Sequence, residues 1–248
     1  MTISIGTSGW SYPGWEEKLY GQKLSSLEQL KFYAAKFNSV EINYSFYHIP
    51  KAETFKKWNA ATPNNFTFSV KLNRQFTHDA QLVLTDELCG KLKVFLYNAG
   101  ELGKKFSVLL IQTPKSMPYN LARLRTFLEI LSKFLAKGPH IPHLAFEFRN
   151  EGWFNEEVYD LLKSYGSSLV ISQSARYPEK HIVLSNLIYI RFHGPEKMFD
   201  SNYSHEQLGA WKNFIDTHPE VTNAYLYFNN TMRGQAIDNA LYLQELSS

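Results

Sequence analysis

The stretch "SVLLIQ", residues 107–112, sets four consecutive apolar side chains, Val108 to Ile111, between a serine and a glutamine. The run is too short for a buried helix and has no polar alternation, so neither of its faces is built for water. Such a segment is read as a strand covered on both sides, the mark of a parallel sheet in an α/β protein. Comparable runs recur in both directions at wide spacing. They are "ISIG" from residue 3, "VEIN" from 40, "FTFSVK" from 66, "HLAFEF" from 143, "SLVIS" from 168, "LIYIRFH" from 187 and "AYLYFNN" from 224, which makes eight candidate strands with the first.

Helical patterns fill the intervals. Ser25 and Glu28 have capping-box spacing ahead of Leu27, Leu30, Ala34 and Phe37, and Ser204 with Gln207 repeats the device. Leu121, Leu124, Leu128, Leu131 and Leu135 form a stripe between Pro118 and Gly138, and Asn155 caps a helix that Gly166 stops. Further helices are expected over 52–61, 85–98 and 233–246. Strands alternating with helices throughout, with no linker or shift in composition, predict one α/β domain over residues 1–248: a (β/α)8 TIM-type barrel, regular or irregular. A doubly wound open sheet would call for a Gly-rich phosphate turn after the first strand, and "GTSGW" lacks that spacing.

Composition agrees with a folded globular chain. Of 248 residues, 44% are hydrophobic and 20% charged, which excludes collagen-like and disordered classes. Cys89 is alone, so no internal disulfide forms, and it reads as a packing residue in a helix. No run approaches the apolar length of a membrane span and no signal-like segment opens the chain, so a cytoplasmic location and no membrane partner are expected. A net charge of +3 and a pI near 8.7 permit phosphate-bearing partners without requiring them.

In a parallel barrel all strands end on one face, so polar residues at those ends converge. Here they are Trp10 and Tyr12 after the first strand, Glu41, Asn43, Phe46 and Tyr47 at the second, and Lys71 with His78 at the third. Gln112 ends the fourth, Glu147 and Arg149 the fifth with Trp153 beyond, Arg191 and His193 the seventh, and Asn229 and Asn230 the eighth. The strand period of two puts Glu41 with Asn43, Glu147 with Arg149, and Arg191 with His193 on one side each. Charges placed inside a barrel must be paired and hydrogen-bonded. Glu41 and Glu147 are therefore expected to face Lys71, Arg149 and Arg191.

Glu147 and His193 are the candidate acid–base residues, with orientation of the arginines as the other role open to Glu147. The remaining residues are candidate ligand contacts, the aromatics among them as walls. No metal and no cofactor are expected, because basic residues interleave with the carboxylates and repel a cation. A serine-nucleophile elbow, a Walker loop and a zinc-deaminase signature are absent from the sequence.

The stretches "IGTSGWSYPGW", "VEINYSFYHIP", "FSVKLNRQFTH", "LLIQTPKSM", "FEFRNEGWF", "YIRFHG" and "YLYFNNTMRGQAIDNA" resemble, in order, the signature stretches of the YecE-like family, domain of unknown function 72. The likeness runs from about residue 3 to residue 243. It implies a (β/α)8-type barrel with a pocket at the strand ends, carries no established reaction, and points towards barrel endonucleases and nucleic-acid binding. Family motif residues fall on Gly6, Ser8, Gly9, Trp10, Glu41, Phe46, Tyr47, Lys71, Thr77, His78, Gln112, Glu147, Arg149, Trp153, Arg191, His193, Gly194, Asn229 and Asn230. Two departures stand out. Asn150 and Gly152 replace a His and a Ser of the family pattern, and Thr113, Pro114 and Lys115 break its double proline.

Three functions are weighed on these grounds. One is binding of a phosphate-bearing small molecule or a nucleic acid through basic groups beside aromatics. Another is metal-independent acid–base catalysis on a small polar anion, and the last is metal-assisted phosphodiester hydrolysis. The first is favoured, and protein partners are left open.

Overall fold

The computed structural model describes residues 1–138 and 140–247. Eight strands appear where the apolar runs predict them: β1 Thr2–Thr7, β2 Ser39–Ile42, β3 Thr67–Lys71, β4 Phe106–Gln112, β5 His143–Glu147, β6 Ser168–Gln173, β7 Leu187–Phe192 and β8 Asn223–Phe228. All neighbours pair in parallel, in the order β1-β8-β7-β6-β5-β4-β3-β2, so the sheet curls into a nearly closed barrel.

Each strand sorts its residues by period two. Ile5, Val40, Val70, Leu109, Phe146, Ile171, Ile190 and Leu226 point outward into the layer beneath the helices. Val108, Leu110, Ala145, Val170, Leu187, Tyr189, Tyr225 and Tyr227 fill the barrel axis as a separate cluster. The axial tyrosines carry hydroxyls that need partners, and Tyr227 finds them in Ser39 and in Ser69 Oγ at 2.9 Å.

The helices follow their signals. α1, Ser26–Ala34, has the reciprocal capping box of Ser25 and Glu28. After β2 comes the short α2, Tyr44–Tyr47, then α3, Ala52–Ala61, and α4, Asp86–Ala99. α5, Leu121–Leu135, buries its leucine stripe, and its cap is Asn120. α6, Glu156–Ser164, α7, His205–Asp216, and α8, Gln235–Glu245, complete the outer layer, with Asn155 and the Ser204–Gln207 box as caps of the first two. The expected alternation fails once. Residues 174–186, between β6 and β7, form no helix. Pro178 interrupts them, and Ile182, Val183 and Leu184 pack as a run against the core instead of spacing themselves at helical intervals.

The barrel closes differently at one seam. Among the described residues no main-chain hydrogen bond joins β1 to β2. Side chains bridge them: Asn38 Oδ1 accepts from Ile5 N at 2.9 Å and its amide donates to the Ile3 carbonyl at 3.0 Å. The Tyr33 hydroxyl accepts from Thr7 N at 2.8 Å and donates to the Ser39 carbonyl at 3.2 Å. Gly6 permits this approach, since a Cβ there would meet the Ser39 carbonyl oxygen at 2.0 Å. The obstacle is backbone, which cannot rotate away. Gly6→Ala is therefore expected to lower the unfolding free energy by about 1–3 kcal/mol, measured by urea denaturation, and an unchanged midpoint would contradict the close seam.

Candidate functional site at the barrel mouth

Arg191 stands at the centre of the inner face, only 1% exposed. Its Nε and Nη2 donate to the two oxygens of Glu41 at 2.9 and 2.7 Å, and its Nη1 donates to Glu147 Oε2 at 2.5 Å. Glu41 also accepts from Ser8 Oγ at 2.9 Å, Asn43 Nδ2 at 3.0 Å and the Tyr189 hydroxyl at 2.8 Å. Glu147 Oε1 accepts from Arg149 Nε at 3.0 Å. Burial alone would raise both carboxyl pKa values, but the attached arginines overcome it and hold both groups below the usual carboxylate range. Both glutamates are thus ionised, Glu41 with five donors and Glu147 with one on each oxygen.

Lys71 is placed differently. It is buried on the inner side of β3, and its Nζ donates to Gln112 Oε1 at 2.7 Å and lies 4.1 Å from the centre of the Phe46 ring. Among the described residues no carboxylate contacts it, whereas Arg191 has two and Arg149 one. Burial and then the fields of Arg191 and Arg149 depress its pKa to about 7. Gln112 continues the chain of contacts, its Nε2 lying 3.3 Å from His78 Nε2. With that nitrogen accepting, the Nδ1 proton of His78 faces Thr77 Oγ1 at 3.0 Å. Burial, Lys71 and Arg149 keep His78 neutral, with its pKa lowered to about 4.

The Arg149 guanidinium, with only its Nε engaged by Glu147, stacks over Tyr177 at 4.1 Å. His193 is fully buried, and burial followed by the field of Arg191 holds it neutral. Asn229 Nδ2 lies 3.0 Å from His193 Nδ1, so the proton sits on Nε2. That Nε2 is 3.8 Å from Glu147 Oε1 and has no hydrogen-bond partner among the described residues, a condition it shares with Asn43 Oδ1 and Ser172 Oγ. Of these, Ser172 lies on β6, while Asn43 and His193 lie just past the ends of β2 and β7.

A sizeable cavity lies to one side of these charges. It is about 620 Å³, opens beside them over the ends of β1 and β2, and is walled by Trp10, Tyr12, Asn43, Tyr44, Tyr47 and Trp58 with Lys57 at its edge. Trp10 is fixed by its Nε1 bond to the Ser26 carbonyl at 2.9 Å and by an edge contact with Trp58 at 5.3 Å. Tyr12 bonds through its hydroxyl to the Ser8 carbonyl, next to the serine that holds Glu41, and Asn43 belongs to both cavity and charge network. Tyr44 and Tyr47 are 54% and 65% exposed and separate this cavity from a neighbouring one of about 570 Å³.

The structure brings Glu41, Asn43, Lys71, His78, Gln112, Glu147, Arg149, Arg191, His193 and Asn229 together at the mouth, with Trp10, Tyr12 and Tyr47 beside it. Two expected contacts lie apart. Trp153 is fully buried, stacked on Phe148 at 4.8 Å and bonded to the Met117 carbonyl at 3.0 Å, so it packs the loop rather than lining the mouth. Asn230 is buried and ties the segment after β8 to the Ser201 carbonyl and to Asn239, each at 2.9 Å.

Tyr189 and Ser172 were legible by period two from Arg191 and Ser174 but carry no charge to draw attention. Tyr177, Trp58 and Lys57 come from loop and helix positions with no strand-end signal. Among the described residues no three His, Cys, Asp or Glu side chains gather as a metal cluster, and no helix is long and apolar enough to cross a membrane.

Eight parallel strands in a nearly closed ring, helices outside and ionised residues collected at the strands' C-terminal ends define a TIM-barrel protein. The chain belongs to the DUF72 family: it matches the family described as "Protein of unknown function DUF72" over residues 4–248. It is 26% identical to the UPF0759 protein YunF of Bacillus subtilis (strain 168) across 98% of this chain and 94% of that protein. It is 31% identical to the UPF0759 protein YecE of Escherichia coli (strain K12) over 150 residues, which are 60% of this chain and 52% of YecE. Among solved structures, a DUF72 family protein from Thermotoga maritima MSB8 superposes with a TM-score of 0.81 at 28% identity, covering 100% of this chain and 99% of that one.

Proposed function

We propose that the barrel mouth binds a phosphorylated ligand with a ring, a nucleotide either free or at the end of a nucleic acid. The observation that carries this reading is the charge balance. Glu41 and Glu147 are neutralised by Arg191 and Arg149, which leaves, among the described residues, Lys71 without a carboxylate for its charged form and Arg149 with its two terminal nitrogens unbonded. An incoming anion restores the balance and takes charge-assisted hydrogen bonds. The ring then has a place in the cavity beside it, against Tyr12, Tyr44, Tyr47 and Trp58.

On this reading Glu147 orients the two arginines and exchanges no proton, because both of its oxygens are engaged by cations. Asn43, Ser172 and His193 supply neutral hydrogen bonds. Calorimetric titration with adenosine monophosphate, inorganic phosphate and a single-stranded oligonucleotide at low and raised salt tests it. Phosphate-dependent binding should weaken with salt, and Tyr47→Ala should cost the nucleotide about 1–3 kcal/mol while leaving inorganic phosphate unaffected. Absence of binding at low salt, or binding indifferent to salt, refutes the reading.

A further inference from the structure

We infer that Lys71 is a nucleophile that forms an imine with the carbonyl carbon of an anionic aldehyde or ketone held at the barrel mouth. This rests on the anion site proposed above and assigns a reacting group within it. Two lysines are buried among the described residues, and their surroundings differ. Lys105 donates to the Asn59 carbonyl, the Thr62 carbonyl and Thr62 Oγ1 at 2.6, 2.8 and 3.1 Å, so every proton of its ammonium has an acceptor. Burial lowers the Lys105 pKa as well, but with all three protons accepted this lysine ties segments together and presents no free lone pair.

Lys71 has one acceptor, the neutral amide oxygen of Gln112, and its remaining surroundings are the Phe46 ring face and the nearby guanidinium groups of Arg191 and Arg149. Glu41 and Glu147 attract it from a distance, but both are already occupied by the arginines. Desolvation and like charge both favour the neutral amine, whose lone pair is the nucleophile. The depressed value of about 7 agrees with this geometry, leaving amine and ammonium both populated near neutral pH.

Placement supports the role as well. Lys71 ends β3 on the inner face, its carbonyl held by Ser45 Oγ at 2.6 Å, and Gln112 fixes Nζ. Arg149 acts on Lys71 through its field, and its terminal nitrogens, unbonded among the described residues, are the group assigned here to the anionic end of the same molecule. In the reaction the amine lone pair attacks the carbonyl carbon, a C–N bond forms, and the C–O π pair moves to oxygen. That oxygen leaves as water with both amine protons, giving the C=N bond. No oxidant or reductant enters. Protonation of the imine by solvent restores the single positive charge the ammonium had, so the buried charge balance is preserved.

Reductive trapping tests this on the wild-type protein. It is incubated near neutral pH with sodium cyanoborohydride and, in separate arms, pyruvate, dihydroxyacetone phosphate or uncharged acetone, and the adducts are located by peptide mass mapping. The expected result is labelling of Lys71 about tenfold or more above any other lysine, faster with an anionic carbonyl than with acetone, and slowed by excess inorganic phosphate. The two anionic arms separate a carboxylate-bearing from a phosphate-bearing substrate. Lys71→Arg should lose the adduct, and the wild-type map decides even if that variant does not fold. Label spread over surface lysines without preference for Lys71 overturns the inference. Calorimetric phosphate binding without a Lys71 adduct sinks the imine and leaves the anion site standing. Selective Lys71 labelling that is equal with acetone and indifferent to phosphate sinks the anion site and the substrate class named here.

Discussion

Arg191→Met should lose about 5 kcal/mol or more of unfolding free energy and leave little folded protein at neutral pH. The substitution removes three charge-assisted hydrogen bonds, but the larger effect is what remains: Glu41 and Glu147, both fully buried and ionised, without the cation between them. Breaking one buried ion pair costs about 3–5 kcal/mol, and here a single guanidinium serves two carboxylates. The sign with pH gives a second handle. Once Arg191 is gone, Glu147 keeps Arg149 but Glu41 has no ion-pair partner, so burial raises its pKa in the folded state, the folded protein binds more protons there than the unfolded one, and the variant gains stability as pH falls. In the wild type both values are depressed, and their contribution is lost as pH falls. Denaturation at pH values near 7 and 5 checks the variant, and a series from about pH 5 down to about 3 checks the wild type. The triple variant Arg191→Met, Glu41→Gln, Glu147→Gln should recover much of the loss. A single variant within about 1 kcal/mol of the wild type would show that the network is not what holds this face.

Wild-type stability should rise with pH above neutrality through Lys71, at up to about 1.4 kcal/mol per pH unit. The folded pKa of about 7 lies below the ordinary lysine value of 10.5, so between the two the unfolded chain binds the extra proton and raising pH favours the fold. Over the whole window the contribution amounts to roughly 3–5 kcal/mol. Lys71→Met keeps the volume, removes the titration and should be flat where the wild type climbs. Its gain at pH 7 is partly offset, because Gln112 Oε1 loses its donor. Urea denaturation of both proteins at pH 7 and 9 gives the comparison, and parallel curves would place the amine in a setting no different from water.

Much of this was readable before any coordinates. The strands were visible because parallel strands are apolar on both faces, as "SVLLIQ" is, and the helices because caps such as Ser25 and Ser204 carry their own chemistry. The mouth was readable because a charge on a buried strand has to be satisfied, which made Glu41, Glu147 and Arg191 conspicuous. What stayed hidden depends on packing between distant segments. The two glutamates converge on one arginine from opposite arcs of the barrel, and no spacing in the chain encodes that meeting. The cavity of Trp58, Tyr44 and Lys57 is made by α2 and α3 leaning towards the loop after β1, so its walls read as ordinary amphipathic helix residues. Trp153 shows the opposite error: an aromatic near a strand end looks like a pocket wall until its neighbours, Phe148 and Met117, are known.

The side-chain closure between β1 and β2 bears on how the proposed ligand would get in. Those two strands deliver Trp10, Tyr12 and Asn43 to the aromatic cavity, and they are the pair that can part without unzipping a ladder. Elsewhere the rim is laced by backbone and keeps its width. The barrel is therefore built like a collar with one clasp, and the clasp, made of Asn38 and Tyr33, lies under the doorway rather than on the far side of it.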